Sequence, residues 1–102
     1  MESLRRVHAT LHRLPGEKAR VILGVVASGN LEVLAERVLE DGVCEVHVST
    51  AVAGYGEIWT AVVADFIEQY SPGGVRFSIN DAGARPDAVL LRLAQVCHAL
   101  ME

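Results

Sequence analysis

The sequence is poor in cysteine, proline and aromatic residues, has no excess of positive charge, and contains no long apolar run. Each shortage removes a class of protein. Its two cysteines, Cys44 and Cys97, lie far apart inside apolar runs, which excludes a disulfide framework, a C-x-x-C redox pair and a zinc-ligand spacing, and marks both as buried free thiols of a reducing compartment. Nine Lys plus Arg against thirteen Asp plus Glu leave a formal charge of −4, which disfavours a general electrostatic hold on nucleic acid or an anionic membrane and suits docking on basic partner surfaces. No stretch approaches the roughly 20 apolar residues that span a bilayer, and no apolar signal region follows the basic N-terminus, so a cytoplasmic protein is expected. The segment from Arg5-Arg6 to Arg13 has some of the look of a transit peptide, but Glu2 and the early Pro15-Gly16 stop argue against one.

The 102 residues suit a single domain, with 51% hydrophobic content sufficient for one core. Residues 1–14 are the ambiguous part: Leu4, Val7, Leu11 and Leu14 stand at helical spacing, but Val7, Ala9 and Leu11 also alternate with His8, Thr10 and His12 as in a half-buried strand, which is the favoured reading, with a frayed segment as the alternative. Val21-Ile22-Leu23-Gly24-Val25-Val26-Ala27 reads as a central strand, apolar on both faces. Gly29-Asn30 signals a hairpin with Ser28 at its tip. Leu31 to Glu40 has helix-like composition, yet Leu31, Val33 and Ala35 alternate with Glu32, Leu34 and Glu36, and adjacency to a tight turn favours a strand. Asp41-Gly42 is a second hairpin signal before the clean alternation of Cys44, Val46 and Val48. From Glu57 the period changes to helical, with Ile58, Trp59, Val62, Val63, Phe66, Ile67 and Tyr70 on one stripe until Pro72-Gly73-Gly74. Val75, Phe77 and Ile79 form a short strand, Asp81 to Ala84 turn the chain, and Val89, Leu90, Leu93, Cys97 and Leu100 face inward from a last helix. The expected fold is α+β, a two-layer sandwich with a mainly antiparallel sheet of about four strands, a further N-terminal strand being the open question, and two helices in the order β-β-β-α-β-α.

Ser28 is the residue with the clearest chemical interest. Gly29 and Asn30 present its hydroxyl on a turn, but no neighbour in sequence is a base able to deprotonate it, and Val26 stands where a G-x-S-x-G nucleophile elbow needs glycine. Turn chemistry alone leaves Ser28 open between a plain turn residue and a hydroxyl suited to being modified by another enzyme. The other candidates are weaker. His8 and His12 share a face but lack a third metal ligand. Trp59, Phe66 and Tyr70 fit core packing better than a stacking platform. Gly54-Tyr55-Gly56 lacks the remainder of a nucleotide loop, and Asp81 and Asp87 are placed to support a turn and a helix dipole. No catalytic residues and no metal site are therefore assigned.

A longer pattern bears on Ser28. The segment Val25-Val26-Ala27-Ser28-Gly29-Asn30-Leu31-Glu32-Val33-Leu34 resembles the attachment motif of malonate decarboxylase acyl carrier subunits. Val48-Ser49-Thr50-Ala51-Val52 resembles that family's third-strand block, and Asn80-Asp81-Ala82-Gly83-Ala84-Arg85-Pro86, leading into Val89-Leu90-Leu91-Arg92-Leu93, resembles its closing helix entry. The likeness runs in order from about Leu14 to Leu93. It implies that Ser28 carries 2′-(5″-phosphoribosyl)-3′-dephospho-CoA in phosphodiester linkage, with Gly29 and Asn30 forming the turn that presents it. It further implies a non-catalytic carrier of acetyl and malonyl thioesters during conversion of malonate to acetate and carbon dioxide. The implied partners are the transferase and decarboxylase subunits, a malonyl transferase and the prosthetic-group transferase (holo-carrier synthase). Arg5, Arg6, Arg13, Lys18 and Arg20 are then candidates to touch the arm's phosphates or an acidic partner, and Gly54-Tyr55-Gly56 a rest site for those phosphates. Citrate lyase carriers share the prosthetic group and are the nearest alternative; a small regulatory or assembly module with Ser28 as a plain turn residue is the alternative from another class.

Overall fold

In the computed structural model, residues 2–24, 31–50 and 56–102 are described. Among them five strands form one sheet and two helices cover one of its faces, in the order β1 Glu2–Ala9, β2 Arg20–Gly24, β3 Leu31–Arg37, β4 Val43–Thr50, α1 Gly56–Tyr70, β5 Val75–Asp81 and α2 Pro86–Met101. The expected α+β sandwich is present, with the N-terminal strand as a fifth member of the sheet. The spatial order is β1-β4-β5-β3-β2; neighbours are antiparallel except β4 and β5, which run parallel, so the sheet is mixed.

Period-two patterning explains which face carries the helices. On β3 the residues Leu31, Val33 and Ala35 are buried while Glu32, Leu34 and Glu36 are half-exposed, and β4 and β5 repeat the rule with Cys44, Val46, Val48 and with Val75, Phe77, Ile79. Against that face α1 places Trp59, Val62, Val63 and Phe66, and α2 places Val89, Leu93, Val96, Cys97 and Leu100. Phe66 meets Phe77 edge-on with ring centroids 5.2 Å apart. Burial of each large side chain contributes roughly 1.5–3 kcal/mol, so this single interlayer core supplies most of the drive to fold.

Three expectations need correction. The run Val21-Ile22-Leu23 belongs to an edge strand, not a central one: β2 pairs only with β3 among the described residues, and Ile22 is 58% exposed on the uncovered face. Asp41-Gly42 does not make a hairpin between paired strands. It closes a turn in which the Val43 N–H donates to the Glu40 carbonyl, and the start of β5 slots between the strands it connects, with the Leu39 N–H donating to the Gly74 carbonyl and the Gly74 N–H to that of Val43. On β1 the inward positions are Leu4 and His8, opposite Val48 and Cys44, whereas Val7 is 58% and Leu11 93% exposed. The strand was foreseen with its faces exchanged.

Connections outside the sheet are held by side chains. Arg37 donates to the carbonyls of Leu14 (2.6 Å), Pro15 (2.7 Å), Lys18 (2.7 Å) and Leu100 (3.0 Å), tying the 14–18 connection to the C-terminus of α2. Leu14 is thereby buried, and the carbonyl of Leu100, orphaned at the helix end, finds a donor.

Candidate functional site

Ser28, Gly29 and Asn30 lie outside the described residues, as do Val25 to Ala27 and the Gly54-Tyr55 pair. The structure does define the frame into which that segment is tied. Gly24 ends β2 and Leu31 begins β3 at the same end of the sheet, where Leu31 pairs with Asp81 and Asp81 in turn with Thr50. Both helices begin after strands that finish here, α1 after β4 and α2 after β5.

At this end Asp81 is the organising group. It is buried, accepts from the Thr50 hydroxyl at 2.8 Å through one carboxylate oxygen, and through the other accepts from the backbone N–H groups of Gly83 (3.1 Å) and Ala84 (2.7 Å). The carboxylate thus joins the ends of β4 and β5 to the turn that starts α2, the supporting role its position in sequence suggests. Asp87 sits in the first turn of α2 and pairs with Arg85 at 3.5 Å, both exposed.

Gly24 forms the other root. Its φ of +93° lies in the left-handed region that favours glycine. A Cβ there would collide with the Leu31 carbonyl and come within 3.3 Å of Arg92 Nε. The Nε atom of Arg92 is itself buried and has no hydrogen-bond partner among the described residues, although the same guanidinium donates from Nη1 to Gln95 at 3.1 Å. A positively charged side chain with a donor that no described residue uses therefore stands against the last described residue before Ser28. Sequence reasoning passed over Arg92; its signal was a charge inside the apolar run Val89-Leu90-Leu91-Arg92-Leu93.

Two concavities complete this end. One, of about 250 Å³, opens between the first turns of the two helices and is lined among the described residues by Ile58, Trp59, Val62, Gly83, Ala84, Arg85 and Val89. The other, of about 340 Å³, lies over the uncovered sheet face and is bordered by residues such as Ser3, His47, Ser49, Ser78 and Asn80. Beside the latter, Glu45 accepts from His47 and from Arg5, and these two hydrogen bonds hold its carboxyl down at about 2.

The basic residues adjacent in sequence do not gather. Arg5 and Arg6 are on β1 and Arg20 on β2, at opposite edges of the sheet, while Lys18 reaches Glu102 and Arg13 reaches Asp41. His8 is half-buried on β1, and His12 is exposed beyond the end of that strand. Among the described residues no group of three or more His, Cys, Asp or Glu side chains is placed to hold a metal ion.

The model of the malonate decarboxylase delta subunit (MdcD) family of acyl carriers matches residues 18–100. The chain belongs to that family. Among its relatives, the malonate decarboxylase acyl carrier protein of Bradyrhizobium diazoefficiens is 55% identical over 102 residues, covering 100% of this chain and 97% of that protein. The protein of the same description from Xanthomonas campestris pv. campestris strain B100 is 54% identical over 79 residues, covering 78% of this chain and 75% of the relative. A chain in the crystal structure of a Pseudomonas malonate decarboxylase hetero-tetramer in complex with malonate superposes with a TM-score of 0.86 at 31% identity, over 98% of this chain and 99% of that one. The resemblance read from the Ser28 segment and the Asp81–Pro86 helix entry is thus a true family membership, and in this chain Gly24, Leu31, Asp81 and Arg92 lie towards one end of the sheet.

Proposed function

We propose that this delta-subunit family member is the non-catalytic acyl carrier subunit of a malonate decarboxylase and that Ser28 is its attachment point for 2′-(5″-phosphoribosyl)-3′-dephospho-CoA. The observation that carries the proposal is the whole-length likeness to a malonate decarboxylase acyl carrier protein, joined to the frame around the Ser28 segment. When bound, the group supplies a terminal thiol on which acetyl and malonyl travel as thioesters through the conversion of malonate to acetate and carbon dioxide.

The residues around the segment suit such a group. A phosphodiester on Ser28 is a singly charged acceptor, and Arg92 brings a guanidinium whose Nε–H has no partner among the described residues to the root of the segment at Gly24. Gly24 and the Leu31–Asp81 pair clamp both ends of the segment to β2, β3 and the start of α2, so the arm swings from a fixed base. Tethering of this kind raises the effective concentration of the acyl group at successive partner sites without the carrier performing any chemistry. Those partners are the transferase and decarboxylase subunits of the complex, the malonyl transferase, and the prosthetic-group transferase that loads the arm.

Co-expression with the cognate prosthetic-group transferase should add the mass of one arm to the intact protein, and Ser28→Ala should abolish the addition. An added arm that persists in Ser28→Ala contradicts the assignment.

A further inference from the structure

We infer that the apolar cavity between the first turns of α1 and α2 shelters the acetyl-thioester end of the arm carried by this same chain. The inference rests on the proposed attachment at Ser28 and goes beyond it by assigning the arm a resting site on the carrier.

The cavity holds about 250 Å³, and Ile58, Trp59, Val62, Ala84 and Val89 give it an apolar wall, with Arg85 as its charged lining residue among those described. Arg85 is already paired with Asp87. An uncharged acetyl group and the thioester beside it can enter without leaving a buried charge behind, whereas a phosphate or a carboxylate would exchange water for hydrocarbon.

What selects the arm as occupant is where the Ser28 segment joins the fold. Its C-terminal end enters at Leu31, whose partner in the sheet is Asp81, and Asp81 holds the backbone of Gly83 and Ala84, two residues of the cavity wall. Its N-terminal end leaves at Gly24, which packs against Arg92 on α2, one helical turn beyond Val89 of the same wall. Both ends of the segment are therefore fastened to residues that shape the cavity. With the anionic phosphodiester at the root of the arm, it is the uncharged far end that suits the apolar wall at the start of α2. Tethered on a flexible arm, the acetyl group is present at an effective concentration on the order of mM. A contact of only millimolar intrinsic affinity is then about half populated, enough to shield the thioester yet weak enough to release it to a partner.

The test uses the full chain loaded by its prosthetic-group transferase, acetylated on the arm's thiol with a ¹³C-labelled acetyl group and checked by intact mass. Isotope-filtered spectra should show nuclear Overhauser contacts from the acetyl methyl to the indole of Trp59 and the methyls of Val62 and Val89. Ala84→Phe, which fills the cavity from its half-exposed wall, should load the arm as before, lose those contacts, and undergo hydroxylamine cleavage of the acetyl thioester about twofold faster, the factor set by a half-populated shelter. Trp59 is the only tryptophan, so its emission should also differ between the unloaded and acetyl-loaded wild-type chain. A loaded wild-type chain whose acetyl methyl contacts none of these residues, or contacts His47, Ser78 and Asn80 on the uncovered sheet face instead, overturns the inference and leaves the attachment standing. Failure to load any arm on Ser28 overturns the attachment, and the inference with it.

Discussion

Replacing Asp81 by alanine removes one buried carboxylate that three donors share, and the structure allows the loss to be apportioned. The Thr50 hydroxyl lies 2.8 Å from one oxygen, and the Gly83 and Ala84 N–H groups lie 3.1 and 2.7 Å from the other. Hydrogen bonds to a charged group are worth about 1.5–3 kcal/mol each, but Gly83 and Ala84 are only half-buried and water can replace part of what they lose. The expected destabilisation for Asp81→Ala is about 3 kcal/mol. Asp81→Asn can keep its carbonyl on the two backbone amides and turn its amide towards Thr50 Oγ1, so it gives up chiefly the charge assistance and should cost about 1 kcal/mol. Urea unfolding followed by Trp59 fluorescence measures both, with unchanged slopes expected if the folded state is otherwise intact. An alanine variant within about 0.5 kcal/mol of wild type, or an asparagine variant as damaged as the alanine one, would refute the role given to this carboxylate.

Other outcomes follow from the same geometry. Arg37→Ala should lose about 2–4 kcal/mol, because four carbonyls on two separate segments lose their donor, and Arg37→Lys should recover less than half, since a compact ammonium cannot span them; a lysine variant as stable as wild type would contradict this. Burial pushes the thiols of Cys44 and Cys97 up to about 12, so a thiol reagent at pH 8 should label neither until the chain unfolds, and rapid labelling of the native protein would be the contrary result. The Glu45 carboxyl is held below its ordinary 4.5, at about 2, by hydrogen bonds from His47 and Arg5. Its contribution to stability is therefore complete above 4.5 and is lost as pH falls towards 2, and in an acid titration Glu45→Gln should flatten that part of the profile; an unaltered profile would be evidence against the cluster.

The alternation on β3, β4 and β5 was legible in the sequence because each strand buries one face only, and a period of two survives even the helix-favouring composition of Leu34-Ala35-Glu36-Arg37. Pairing was less legible. A turn signal such as Asp41-Gly42 reports that the chain reverses, not which strand lies next to which, and the insertion of β5 between β3 and β4 is decided by burial of Val75, Phe77 and Ile79 between layers. Val21-Ile22-Leu23 misled for a related reason: an apolar run does not reveal that one of its faces stays open. At the functional end, Ser28 stood out through a local motif, whereas Arg92 and the clamp made by Leu31 and Asp81 exist only after distant segments meet.

Ser28 can be interrogated almost in isolation. Cleavage after Arg20 and Arg37 releases the peptide from Val21 to Arg37, in which Ser28 is the only hydroxyl-bearing side chain. Peptide mass spectrometry of the chain purified together with its prosthetic-group transferase should find the phosphoribosyl-dephospho-CoA mass on that peptide, with fragment ions placing it on Ser28. A fully loaded protein whose peptide from Val21 to Arg37 is unmodified would contradict the carrier assignment at its centre.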